Sequence, residues 1–449
     1  MAAIDRSIYE RFDIISADGT NTVDLRGGVV TFSYFENLFS PMITSQVLVA
    51  NTGNTVSGEK GEIQSIYNGL PLRGGEIVNI KIQSNSENNI PLEFSQNNGN
   101  ELYVASITNV LIDAGREAFT LNLVSREAIT NETSRVGKKF PSSQSISDSV
   151  KDIVKEYLLS EKDIFVDKTE NPYGFIGNLK KPFTILTWLA SKSVPANVAG
   201  QSSTAGYFFF ETKEGFNFKS IDSLIATEPV SKEYTYTPKV IDGDDPNKDF
   251  KILEFATNRN QNLVENLERG AYCTYRMYYN PVDSTFTSPQ QGIFKLSNYV
   301  DKVENLGSDF TIDLPPVDGK GKTIGDIPSR FMTGVLDFGT IEKKDKNSLK
   351  KNSDPMEYQS QSMMRYNILF TQHLVMTIPL NTNLSAGDLI RCKFAKITTD
   401  ENKVPDDEQS GLYMIKELVH YYENKGSFTK LKLVRDTFGK RSSWLKIIY

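Results

Sequence analysis

Residues 412–436 read LYMIKELVHYYENKGSFTKLKLVRD. Near the end of this stretch Leu431 and Leu433 alternate with Lys430 and Lys432, so an extended chain here is apolar on one face and polar on the other. The turn formers in ENKGS separate this run from the preceding one, and together they predict an antiparallel hairpin. The same device occurs near the other end of the chain. Residues 102–126, LYVASITNVLIDAGREAFTLNLVSR, laid gaplessly over it, bring Leu102 and Tyr103 onto Leu412 and Tyr413, and Leu121, Leu123 and Val124 onto Leu431, Leu433 and Val434. Upstream, GGEIVNIKI (74–82) parallels AGDLIRCKF (386–394): a small residue, a glycine and an acid, then alternating positions. In both copies a Gly-acid turn launches a strand, a polar loop follows, and two strands pair through a turn. VVTFSYF (29–35) and ITSQVLVAN (43–51) add strands before the first copy, and HLVMTIPLN (373–381) holds the corresponding place before the second. Each copy therefore predicts a small antiparallel sheet or barrel.

Between the copies the pattern changes period. SISDSVKDIVKEYLL (145–159) sets Ile146, Val150, Ile153, Val154, Tyr157 and Leu158 at helical spacing, with Ser145 as N-cap and Asp148 three residues on. A second helix is expected to start at Pro182 and run through FTILTWLASK until Pro195, with Trp188 on its core face. GYFFFETKEGFNFKSID (206–222) reads as a hairpin turning at Lys213–Gly215, which makes this section α+β. Polar sequence prevails over 225–270, and GAYCTYRMYY (270–279) and QGIFKLSNYV (291–300) restore strand character. Residues 301–362 read as the most loop-like part, and within them 342–362 is expected to be cut first by protease.

Composition bounds the function. A chain of 449 residues fits about three domains. Its 39% hydrophobic and 24% charged content, with 26 Phe and 20 Tyr, describes a folded chain rather than a disordered one. A net charge of −6 gives no field for holding a phosphate backbone. The N-terminus MAAIDRSIYERFDII lacks an apolar signal region, and no run of about 18 apolar residues occurs, so synthesis and retention in a cytoplasm are expected, without stable membrane binding. Cys273 and Cys392 stand far apart and read as buried apolar thiols.

A search for catalytic chemistry finds little. His373 and His420 are the only histidines, both in predicted strands of the second copy, and His420 reads as a packed strand residue. VDGKGKTIGD (317–326) contains Gly321-Lys322-Thr323, yet Pro316 stands where a phosphate loop needs glycine. IDGDDPNKDF (241–250) gathers Asp242, Asp244, Asp245 and Asp249, but Asn247 and Leu253 occupy the positions where an EF-hand needs Gly and Glu, so a solvated acidic turn is expected. No catalytic, cofactor-binding or metal residue is assigned.

The order of SISDSVKDIVKEYLL, KKPFTILTWLASKS, an aromatic hairpin, PLNTNLSAGDLIRCKF and GLYMIKELVHYYENKGSFTKLKLVRD resembles the central baseplate hub subunit of T-even-type contractile-tailed bacteriophages. The hub part of the valine-glycine-repeat proteins of type VI secretion and the phage late control proteins share that order. The match is carried by Gly387, Asp388, Tyr413, Val419, His420, Thr429, Leu431 and Arg435.

The resemblance implies a mainly β fold with an α+β middle: two tail-tube-like antiparallel β-barrels per chain with inserted α+β domains. The implied division is 1–135 as first barrel, 136–225 as α+β domain, 226–362 as a connecting segment lending strands to the second barrel, and 363–449 as the main part of that barrel. It further implies a homotrimer of pseudo-sixfold symmetry in the virion baseplate, assembled in the host cytoplasm. Such a ring would adapt a hexameric tail tube to a trimeric central spike, contact tape-measure and wedge proteins, and pass DNA only transiently. No cofactor and no enzymatic activity are implied, and the spike and any hydrolase are expected to be separate proteins. Two other readings are a tail-associated peptidoglycan hydrolase, which zymography would reveal, and a β-rich receptor- or carbohydrate-binding module, which would be monomeric and bind glycans.

Overall fold

The computed structural model describes residues 3–51, 56–57, 63–70, 72–113, 116–196, 204–236, 245, 247–258, 263–281, 284–298, 305–307, 316–317, 321–335, 355–395 and 405–437. The chain is mainly β. Its first part contributes β1 (Tyr9–Ile15), β2 (Val29–Asn37), β3 (Thr44–Asn51), β4 (Ile77–Ile82), β5 (Leu102–Asp113) and β6 (Arg116–Ser125). The middle adds β7 (Asp163–Val166), β8 (Tyr207–Thr212) and β9 (Gly215–Ser220). Then come β10 (Tyr234–Tyr236), β11 (Lys251–Ile252), β12 (Glu254–Asn258), β13 (Cys273–Asn280) and β14 (Arg330–Val335). The last four are β15 (Gln372–Pro379), β16 (Leu389–Lys393), β17 (Gly411–Glu423) and β18 (Gly426–Arg435).

One sheet of 15 strands holds both copies. In the first, β2, β3, β6 and β5 lie side by side, all antiparallel. In the second, β12, β15, β18 and β17 lie side by side in the same sense. The strand after the Gly-acid turn meets the start of the long strand in both: β4 on β5, and β16 on β17. The repeat read from two hairpins thus extends to five strands in one order. β17 then pairs with β2, joining the copies.

The gapless overlay needs one correction. Val124 faces Tyr103 while Val434 faces Met414, so the counterpart of Tyr103 is Met414 and not Tyr413. The first copy accommodates the extra residue in a bulge, where Asn109 and Val110 stand against Phe119 alone and Asn109 adopts φ +53°. Beyond the bulge the counterparts run Leu111 with Tyr421 and Ile112 with Tyr422.

The two expected barrels are not shown as closed sheets by the ladders of the described residues. Among the described residues no sheet closes on itself, because β5 beyond Val104 has no strand on its outer edge. The apolar faces of both copies nevertheless share one core, in which Phe12, Phe32, Val47, Phe119 and Leu121 pack in the same cluster as Leu374, Met376, Ile415, Tyr422 and Leu431.

The middle section builds a separate core from α1 (Ile146–Glu156), α2 (Pro182–Ala190) and the β8–β9 hairpin, with β7 alongside β9 in parallel. Ser145 Oγ accepts from the Asp148 amide at 3.2 Å, the expected cap. α2 ends before the expected Pro195, at Ala190, where Ser191 Oγ donates to the Trp188 carbonyl and Ser193 Oγ to that of Leu189. Trp188 is not core: it is 38% exposed, while Phe183, Ile185, Leu186 and Leu189 take the buried face. Its ring meets Tyr173 and Phe175 edge-on beneath the Lys192 ammonium. Trp188→Ala is accordingly expected to cost about 1–2 kcal/mol, less than the roughly 2–5 kcal/mol for fully buried Leu186→Ala. Thermal denaturation of the two variants checks the order.

The loop-like reading of 301–362 also needs correction. β14 pairs in parallel with β13, and α3 (Pro355–Ile368) takes up the Ser/Gln run that had read as loop. The sequence prediction missed this helix because its polar residues outnumber its apolar ones, while Met364 and Ile368 still reach a buried cluster with Tyr272 and Phe294. The expected cleavage site keeps only 342–354, which lie outside the described residues.

Candidate assembly interface

The Gly-acid turn has the same hydrogen bonds in both copies. The Gly75 amide donates to the Val104 carbonyl at 2.8 Å and the Val104 amide to the Glu76 carbonyl at 2.9 Å. In the second copy Gly387 donates to Ile415 and Ile415 to Asp388, both at 2.8 Å. Each acid then caps the amide three residues back: Glu76 accepts from Arg73 at 2.6 Å and Asp388 from Ser385 at 2.7 Å. Each glycine lies in the left-handed region, at φ +93° and +91°. Their surroundings differ, since a Cβ on Gly75 would meet nothing within 4 Å and one on Gly387 would meet Phe210 at 3.2 Å and Leu224 at 3.4 Å. Gly75→Ala is expected to cost about 1 kcal/mol of backbone strain. Gly387→Ala should add overpacking and cost about 2–4 kcal/mol, a difference that denaturant titration would measure.

The junction of β17 with β2 buries polar groups. Glu36 accepts from the amides of Lys213 at 2.9 Å and Ala386 at 2.7 Å and from the Tyr34 hydroxyl at 2.7 Å. Burial raises its carboxyl and pushes that of nearby Asp388 up to about 7. His420, opposite Tyr34 across the junction, is fully buried with Nδ1 2.9 Å from Thr429 Oγ1. Burial pushes its imidazole down to about 3.

The signs are opposite. A raised carboxyl binds its proton more tightly in the folded chain, so Asp388 removes stability as pH climbs from about 4 to 7. A depressed histidine binds its proton less tightly when folded, so His420 removes stability as pH falls from about 6.5 to 3. Asp388→Asn is expected to stabilise relative to the parent, by an amount growing across the pH 4–7 window to at most a few kcal/mol. Melting temperatures measured across that window check it, and a constant difference would contradict the assignment.

The other residues singled out in the sequence have structural surroundings. His373 stacks on Phe370, and burial lowers its imidazole. Both cysteines are buried, and burial pushes the Cys273 thiol up to about 11 and that of Cys392 higher still. Thr323 donates from its amide and hydroxyl to Asp326, each at 3.0 Å. Asp249 corrects the expectation of a solvated acidic turn: it is buried and accepts from the Ala3 amide at 3.1 Å, Ser86 Oγ at 2.6 Å and Asn88 Nδ2 at 3.0 Å. Asp245 pairs with Lys251 at 3.0 Å, while Asp242 and Asp244 lie outside the described residues. Among the described residues no three His, Cys, Asp or Glu side chains gather to hold a metal, and no helix is long and apolar enough to cross a membrane.

Sequence reasoning missed the contact that fastens the middle section to the first copy. Lys162 lies between Glu127 at 2.8 Å and Glu211 at 2.6 Å, with all three side chains nearly or wholly buried. Glu211 also accepts from the Ile43 amide and Ser125 Oγ. No local pattern links positions 127, 162 and 211, so only the folded chain reveals the group.

The surface is most unusual along β5. Past Val104 its residues are all exposed or half-buried, with Val110 at 38%, Leu111 at 71% and Ile112 at 64%. The matching part of β17 includes fully buried Leu418 and His420 and nearly buried Tyr422. Among the described residues β2 covers β17, and no strand covers β5 past Val104 on the corresponding edge.

No protein-family model matches the sequence, and no curated protein matches it. Solved structures do match. The tail protein from Neisseria meningitidis MC58 superposes with a TM-score of 0.51 at 10% identity, over 95% of this chain and 96% of that one. The prophage MuSo2 43 kDa tail protein from Shewanella oneidensis gives 0.49 at 10% identity, over 95% and 99%. The first match shows that this chain has the fold of a tail protein along nearly its whole length.

Proposed function

We propose that the chain is a structural baseplate hub of a phage tail, three copies of which close into a ring between a hexameric tail tube and a trimeric central spike. The observation that carries this reading is the duplication: one five-strand order, with one Gly-acid turn, occurs twice in a chain with a tail-protein fold. Three such chains present six similar units. One face of the ring then offers sixfold and the other threefold symmetry, which lets unlike oligomers meet on matched surfaces.

In this reading residues 1–135 and 363–449 form two tail-tube-like barrels, 136–225 an α+β domain and 226–362 a connection that completes the second barrel. Support for the second barrel comes from the step between β11 and β12. β11 pairs with β10, which pairs with β16; after Leu253, whose amide donates to the Thr377 carbonyl, β12 pairs with β15. The ring works without catalysis in the virion baseplate. Its channel passes tape-measure protein and then DNA, and wedge proteins meet its rim. Light scattering on the purified full chain tests the stoichiometry: a mass of roughly 150 kDa, three chains of 50.4 kDa, is expected alone or with the spike. A monomer under both conditions would reject the reading.

A further inference from the structure

The middle section carries a two-strand ribbon in which Lys139–Phe140 pairs antiparallel with Phe175–Ile176 and Val136 bridges Lys180. Its inner face is anchored by buried Phe140 and Phe175, whose rings stack with centroids 4.5 Å apart. A tight turn closes residues 177–180: the Lys180 amide donates to the Gly177 carbonyl at 3.0 Å, and the two central residues, Asn178 and Leu179, have φ of +50° and +55°. Two left-handed central residues define a type I′ turn, in which the second position suits glycine. Leucine there is strained, and its side chain is 68% exposed, so neither the backbone nor the core accounts for it.

The surroundings of Leu179 are apolar at the centre and cationic at the rim. A Cβ on Gly137 would stand 3.3 Å from Leu179 Cδ2, and Gly137 is two residues from Lys139, on the same side of the extended chain. Opposite Lys139 lies Ile176, 47% exposed. Residues 135–140 and 176–181 hold five Lys or Arg and no Asp or Glu, in a chain of net charge −6. Lys138 and Lys181 meet the carboxylates of Glu156 and Glu132. Arg135 donates to the backbone carbonyls of Glu132 and Ser134, which leaves its charge in place, and Arg135, Lys139 and Lys180 are exposed.

We propose that this ribbon is a contact site for an anionic lipid surface, into which Leu179 and Ile176 dip while Arg135, Lys139 and Lys180 meet the phosphate groups. Charge complementarity selects an anionic partner. Shape selects a lipid, because the apolar residues sit on an exposed turn, which a fluid interface accommodates and which a folded partner could receive only in a preformed pocket. Composition agrees. Four of the five cations are Lys, point charges on flexible apolar stems that reach headgroups, whereas fixed carboxylates favour the planar fork of Arg. Two apolar side chains and a few cations give reversible attachment rather than anchoring, so no membrane-spanning segment is needed. The site belongs to one chain and requires no particular number of copies.

The test sediments the 449-residue chain with vesicles of phosphatidylcholine alone or mixed equally with phosphatidylglycerol. Binding is expected only to the mixed vesicles and should fall as salt screens the charges. Leu179→Gly should weaken it roughly tenfold while keeping or raising the melting temperature, a combination that a purely structural leucine would not give. Lys139→Gln with Lys180→Gln should weaken it at least as much. Lys425→Gln with Lys430→Gln, which changes exposed lysines of the second copy, should bind as the parent does. A parent that ignores the mixed vesicles, a Leu179→Gly variant that binds like the parent, or equal losses from both lysine pairs would overturn the site. Binding to polyglutamate without binding to vesicles would overturn the lipid assignment and point to an acidic protein instead.

Discussion

Lys162→Met is expected to lower folding stability by about 3–5 kcal/mol, because it removes the cation from between two buried carboxylates. The Glu127 and Glu211 side chains are wholly buried and Lys162 nearly so. Burial alone would lower the Lys162 ammonium; the attraction of Glu211 and Glu127 outweighs it and holds the group above its ordinary value. Burial also raises the Glu211 carboxyl, against the pull of Lys162. Without the cation, two desolvated carboxylates face each other and one must take up a proton. Adding Glu211→Gln to the methionine variant should recover part of the loss, although Ile43 and Ser125 keep their demand for an acceptor. A loss below about 1 kcal/mol would mean that water reaches the group and screens it.

Phe32→Ala should cost about 3–5 kcal/mol through the cavity it leaves. Phe32 is fully buried, stacks on Tyr422 with centroids 5.7 Å apart and meets Phe12 edge-on at 5.7 Å. It lies opposite Tyr422 across the junction and opposite Val47 inside the first copy. The loss therefore falls on both copies at once, and calorimetry should show the sheet still melting in one transition at lower temperature. Two resolved sheet transitions in the variant or its parent would contradict the shared core.

The sequence revealed alternation more readily than closure. Lys430-Leu431-Lys432-Leu433 shows its two faces in the letters, and the Gly-acid pair marks where each copy begins. The bulge at Asn109 was hidden, because one inserted residue within a long exposed strand cannot be recognised until its pairing is known. Trp188 misled for a related reason: a nine-residue helix with many apolar positions does not say which side faces inward, and Phe183, Ile185, Leu186 and Leu189 occupy that side. α3 was missed because helical contacts with residues far away in the chain, rather than its own composition, bury Met364 and Ile368. The ion group at Lys162 and the open edge of β5 depend on which strands become neighbours, and that information is nonlocal.

Electron microscopy of the assembled protein tests the adaptor account most directly. It predicts a closed ring of three chains in which the β2, β3, β6, β5 unit superposes on the β12, β15, β18, β17 unit by a rotation of about 60° around the ring axis. A ring of six chains, or a superposition axis lying away from the channel, would contradict it.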